Sequence, residues 1–330
     1  MNRICSKFFA AVTVSFMAAA PTFAASQDPY FLPDEFLAAE TEYLETYPEL
    51  QKVMDVMIDT SKQQLDNPEQ EILHNRVCAA LVYQMTGNGE LSANDRRLAL
   101  AGDLLHNIAK EDPEAVLTDP AQMSRADALI TQLQQAGHFS QSPKFWTDTS
   151  VLANPGIGKT RSLVHHVTGA LTVGDLLEEI GGFTPEDIQK VQVAVAQHST
   201  GYWYFRNSID DAAERDGAWE VVFPEPDNDI AKYVHDADLI SQFVPESVIP
   251  DGAKWRVLAK NRWGATNPQE EGHIVYYVFM RLFDEAKTEA GRELALERWE
   301  QIAPALVELM GLQPGQDPIK ELGVPAVFAK

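Results

Sequence analysis

Disulfides, basic charge and long apolar runs are all scarce in this sequence, and each scarcity excludes something. The 330 residues include two cysteines, Cys5 and Cys78. Cys5 falls in a segment that reads as a leader, so the mature chain keeps one thiol and has no internal disulfide. A chain of this length buries enough core to do without one, and Cys78 reads as a small apolar core residue. Lys and Arg number 26 against 49 Asp and Glu, a formal net charge of −23. Such a surface repels phosphate backbones and excludes a nucleic-acid polymer as partner. Beyond the leader, no apolar run approaches the roughly 18 residues that mark a membrane span. The longest, Ile274 to Met280, reads as a core helix segment. Strand-like alternation is nearly absent, and there is no internal repeat and no low-complexity tract. What remains, 45% hydrophobic and 23% charged residues, is the mix of a globular domain.

Arg3 and Lys7 precede an apolar run from Phe8 to Ala20, and small residues surround Ala24. Residues 1–24 therefore read as a secretory signal peptide. A periplasmic or secreted protein follows, with no membrane contact after cleavage; the alternative is an uncleaved N-terminal anchor. Cys5 precedes the apolar run, so it is not placed as a lipid-carrying cysteine.

Helical periodicity dominates the rest. Pro33-Asp34-Glu35 opens one helix, residues 47–65 form a second, and Asn67-Pro68-Glu69 starts a third that runs to about Met85. Gly87-Asn88-Gly89 breaks the chain, and Ser92 to Asp95 restart it toward Lys110. Further helices fit 121–136, 160–170, 185–198, 229–243, 269–289 and 292–310. Residues 137–158 and 216–228 are poor in helix signals, and Trp219 to Phe223 is at most a lone strand. The expected fold class is all-α.

Of the eight histidines, several lie at the polar edge of apolar helices. In Leu104-Leu105-His106-Asn107-Ile108-Ala109-Lys110 most faces are apolar, so His106 and Asn107 are expected to be partly buried. A buried imidazole needs a hydrogen-bond partner or a metal. Several histidines on successive helices favour a metal, which satisfies them together.

His74-Asn75-Arg76-Val77, then Leu104 to Lys110, His165 with Gly169, Gln197-His198 and Ala237-Asp238-Leu239-Ile240 resemble the pattern of HD-domain metal-dependent phosphohydrolases. The likeness runs from about residue 70 to 243. The additional histidines and Gly201-Tyr202 are most similar to the HD-GYP branch, although Trp203 stands where its proline would be. The resemblance implies an all-α bundle. An N-terminal helical segment (25–68) would precede a metal-binding domain (69–245), and a C-terminal helical extension (246–330) would pack on the same core. It implies that His74, His106 and Asp238 bind a first divalent ion and His165 and His198 a second. Asp236 is a rival to Asp238. Asn107 stands where the family has the aspartate of its His-Asp pair, offering a neutral oxygen in place of a charged one. Asp103, one turn earlier on that face, is a candidate for the missing carboxylate. Lys110 is a candidate for contacting phosphate. His166 points about 100° from His165 and reads as polar surface or a substrate contact. His138, His235 and His273 are set aside as bystanders.

Imidazole and carboxylate ligands suit Fe, Mn, Zn or Co. The expected activity is hydrolysis of a small phosphorylated molecule, a phosphoester or nucleotide, by metal-activated water. One alternative is a catalytically weakened descendant that binds or senses. Another is a nucleoside triphosphatase, because Ala153-Asn154-Pro155-Gly156-Ile157-Gly158-Lys159-Thr160 matches a relaxed phosphate-binding loop; Lys159 and Thr160 would then carry the chemistry. That loop needs a preceding strand, which Thr147 to Leu152 supplies poorly. Helices 269–289 and 292–310 are amphipathic and suit either a core cover or a homodimer surface.

Overall fold

The computed structural model describes residues 32–64, 68–87, 89–109, 119–138, 161–199, 225–244 and 254–329. Among them every regular element is helical, as the periodicity requires. In chain order the α-helices are α1 (Asp34–Thr46), α2 (Leu50–Gln64), α3 (Pro68–Met85), α4 (Ala93–Leu105), α5 (Pro120–Gln135) and α6 (Arg161–Ile180). They continue with α7 (Pro185–Gln197), α8 (Asp229–Ser241), α9 (Lys254–Trp263), α10 (Pro268–Leu282), α11 (Glu289–Leu309) and α12 (Pro318–Leu322). The signal segment, Lys110, the loop 153–160, Gly201 to Trp203 and the lone strand 219–223 all lie outside the described residues. No described helix is long and apolar enough to cross a membrane.

Local sequence explains where the helices start. Ser92 accepts the amide of Asp95 and caps α4. Thr184 and Asp187 form a reciprocal capping box on α7, with Pro185 in its first turn, satisfying amides that have no partner inside the helix. Asn228 caps α8 through the amide of Ala231.

Tertiary packing decides how far they run. Helix α6 was expected to end near residue 170 and continues to Ile180 through Gly169 and Gly174. Those glycines serve close approach instead. A Cβ at Gly169 would lie 3.1 Å from the carbonyl oxygen of His106, so α6 meets the end of α4 nearly backbone to backbone. The single helix expected over 269–289 is instead α10, one 3-10 turn (Phe283–Glu285) and the start of α11. Helix α9 carried no evident signal, yet Trp255, Ala259 and Trp263 recur every four residues and are buried.

The helices α3, α4, α7 and α8 form the centre: α3 packs on α4 and α8, and α7 on α4 and α8. Helices α1 and α2 lie against α3, and α6 against α7. On the other side α11 reaches α8 and α3, while α10 packs on α9 and α11. One hydrophobic cluster runs from Leu32 to Met310. Residues 230–241 of α8 are buried except Lys232, so α8 has almost no solvent face. Its His235, Asp236, Asp238 and Ser241 must therefore be satisfied from within the protein.

Candidate metal centre

Helix α4 unwinds at His106 and α7 at His198, and the two histidines occupy equivalent places. Each sits at the C-terminal cap of its helix. His106 Nδ1 lies 2.7 Å from the carbonyl oxygen of Asp103, and His198 Nδ1 lies 2.6 Å from that of Val195. The last carbonyls of a helix have no partner within it, so each imidazole donates Nδ1–H to one three residues back. This fixes the tautomer and turns an Nε2 lone pair inward, as backbone partners do for metal-binding histidines. Burial, followed by the charge of His198, holds the His106 pKa well below the usual histidine value. It is the neutral, ligating form.

Helix α3 brings His74 and α8 brings Asp238 to the same place. His74 Nε2 lies 3.1 Å from His106 Nε2 and 3.1 Å from Asp238 Oδ1, and His106 Nε2 lies 3.8 Å from that oxygen. The corners of this triangle can all lie about 2.0–2.2 Å from one point, the range of nitrogen and oxygen ligands to zinc. Burial alone would raise the Asp238 carboxyl. The hydrogen bond from His74 and the charges of His74, His106 and His198 together outweigh it and hold the group well below the usual carboxylate range. Cys78, one turn after His74 on α3, places Sγ 3.8 Å from His74 Nε2, and these four side chains together could hold a metal ion.

A second pair adjoins the first. His165, near the start of α6, has Nε2 3.0 Å from His198 Nε2, and the His106 and His198 rings are 4.9 Å apart. Four imidazoles and one carboxylate thus converge from α3, α4, α6, α7 and α8. The open carbonyl ends of α4 and α7 add partial negative charge, which favours a cation. His106 and His198 are fully buried, and His74 and Asp238 keep 12% of their side-chain surface exposed. Access to the cluster is on their side.

Asn107 is buried, its Nδ2 donates to Glu71 Oε2 at 3.3 Å, and its Oδ1 has no hydrogen-bond partner. Asp103 does not stand where a substitute carboxylate is needed. Its Oδ1 lies 3.9 Å from His106 Nδ1, the ring nitrogen turned away from the triangle. Asp236 faces elsewhere, toward the backbone amides of Lys287 and Thr288. His166 is not polar surface: it is fully buried beside His165. His138 pairs with Asp227 at 2.7 Å, and His273 meets the carbonyl of Gly323. Glu71 and Ser241 escaped the sequence reading, and Cys78 was read there only as a small apolar core residue. Their signal was spacing: each lies three or four residues from His74 or Asp238 on the same helix. Ser241 Oγ is 3.4 Å from His74 Nδ1. A separate surface cleft of about 500 Å³, lined by Glu90, Asp95, His138, Glu186 and Lys190 among others, contains none of the converging residues.

Asp103 carries a pH signature. Burial, then the charge of Asp238, raises its carboxyl well above the usual range, and neither oxygen has a hydrogen-bond partner. The folded chain therefore holds a proton that the unfolded chain releases near pH 3.9, so stability falls as pH rises from about that value to the native pKa. In metal-free protein, Asp103→Asn should gain on the wild type from pH 4 to pH 8 in urea unfolding. A stability difference independent of pH would show that Asp103 is not protonated in the fold.

No family model matches the chain, and neither a curated protein nor a solved structure matches it at a significant level.

Proposed function

We propose that the chain is an exported, metal-dependent phosphohydrolase of the HD type, acting on a small phosphoester or nucleotide. The observation that carries this is the triangle of His74 Nε2, His106 Nε2 and Asp238 Oδ1 beside the His165–His198 pair. The donors fit one or two divalent ions: the tautomers of His106 and His198 are set from behind, and one buried carboxylate supplies charge. When bound, such an ion would supply Lewis-acid polarisation of a phosphoryl oxygen and a water acidic enough to attack at neutral pH. His106 and His198 hold their ring orientation through the carbonyls behind them. Asp238 contributes the anion, and Ser241 and Gln242 both donate to its carbonyl, fixing the end of α8. A substrate would enter on the His74 and Asp238 side. In this reading Lys110, just after the Asn107 turn, contacts phosphate, and a leader keeps the enzyme outside the cytoplasm.

Asn107 favours a second reading, a weakened relative that binds or senses. Metal content and turnover separate the two. The purified protein should carry about one or two divalent ions and hydrolyse a p-nitrophenyl phosphomonoester or diester. Chelation should abolish turnover and the metal should restore it. Metal without turnover on a broad phosphoester panel would establish the binding reading. Nucleoside triphosphate hydrolysis that survives His106→Ala and vanishes in Lys159→Ala would establish the triphosphatase.

A further inference from the structure

The amide of Asn107 can face the carboxylate of Glu71 in one way only. A carboxylate accepts, so the NH2 group must point toward it and the carbonyl oxygen away. Nδ2 accordingly lies 3.3 Å from Glu71 Oε2. Asn107 is 2% exposed and Glu71 9%, so both are shielded from water. The carbonyl oxygen thereby turned outward is buried and has no hydrogen-bond partner. Leaving a buried acceptor unsatisfied is costly, because the oxygen gives up its hydration and gains nothing in return. A cation satisfies an oxygen lone pair without any donor, and Asn107 directly follows His106, a corner of the triangle. Glu71 lies three residues before His74 on α3, a spacing that puts both on one helix face.

From these contacts, and resting on the metal-site reading above, we infer that Glu71 is a positioning residue that turns Asn107 Oδ1 toward the bound ion. It also supplies, one bond further out, the negative charge that an aspartate at position 107 would carry. Asn107 and Glu71 together bear one carboxylate, as a single aspartate would. The pair works only as a pair. Asn107→Asp sets two carboxylates at hydrogen-bond distance, where they repel. Restoring the residue found in the resembled family therefore does not improve the site. Glu71→Gln combined with Asn107→Asp exchanges the roles: the glutamine amide donates and the aspartate accepts.

The test is calorimetric titration of metal-free protein with Mn(II) and with Zn(II), alongside thermal melts of the same metal-free samples. Glu71→Gln should bind about ten- to a hundredfold more weakly, the usual effect of losing a partner behind a metal ligand. Asn107→Asp should bind no tighter than the wild type, and the double variant should bind more tightly than either single one. Equal affinity in the wild type and Glu71→Gln overturns the role of Glu71 and leaves the metal site standing. So does tighter binding by Asn107→Asp alone. So does a lower metal-free melt in Glu71→Gln with unchanged affinity, which would make the contact merely structural. A wild type that takes up neither metal overturns the site reading and this inference with it.

Discussion

Asp238→Asn should lose its metal while keeping its fold. The substitution preserves shape and leaves an oxygen facing His74, but removes the one carboxylate in the triangle. Two neutral imidazoles and an amide oxygen offer no charge to a divalent ion, which must give up its hydration to enter a buried site. Affinity should fall more than about a hundredfold, beyond the range seen when only a partner behind a ligand is lost. Phosphoester turnover should fall with it. His74→Ala should match it in metal content but also weaken the fold, because it leaves a gap beside Cys78 and His106. The measurement is metal per chain after dialysis, with circular dichroism as the control for folding. An Asp238→Asn protein that retains its full metal complement would remove Asp238 from the ligand set and the triangle from the proposal.

The residues that build this cluster were picked out of the eight histidines by the family pattern they resemble, and their chemistry is consistent with that choice. His74, His106, His165 and His198 are polar groups in apolar helices, and a sequence displays that conflict directly. The helices themselves were legible from periodicity and start signals, as with Pro68 and Ser92. Faces were harder to read. His166 was left between polar surface and a substrate contact, and the first fails because α6 is buried there on both sides. Asp236 and Asp238 could not be separated, since α8 is buried nearly all round and offers no apolar stripe to orient them. The break between α10 and α11 is marked locally by the Thr288 cap but is also held from afar; the amides of Lys287 and Thr288 are claimed by Asp236, about 50 positions away in sequence. Glu71 went unnoticed because its meaning depends on Asn107, and only folding brings the two together.

Asp236→Ala should unfold the protein easily without touching the metal. Asp236 is fully buried and accepts four hydrogen bonds. His235 Nδ1 donates at 2.9 Å, the amides of Lys287 and Thr288 at 2.8 Å each, and the Thr288 hydroxyl at 2.7 Å. Thr288 Oγ1 in turn accepts the amide of Gly291 and caps α11. One carboxylate on α8 thus anchors the start of the longest described helix, which packs against α8 and α3. Alanine would strand several donors at once. Breaking a buried charged network of this kind typically costs about 3–5 kcal/mol. Gly291→Ala should reproduce part of the loss, because its Cβ would clash with Asp236 Oδ2 and Thr288 Oγ1. Two positions on a helix separate side chains by about 200°, so Asp238 should keep its place and metal per folded chain should not change. Urea unfolding measures the first expectation and metal analysis of the native fraction the second. A variant that stays stable but loses metal would make Asp236 the ligand and Asp238 the anchor, reversing the assignment on which the site is built.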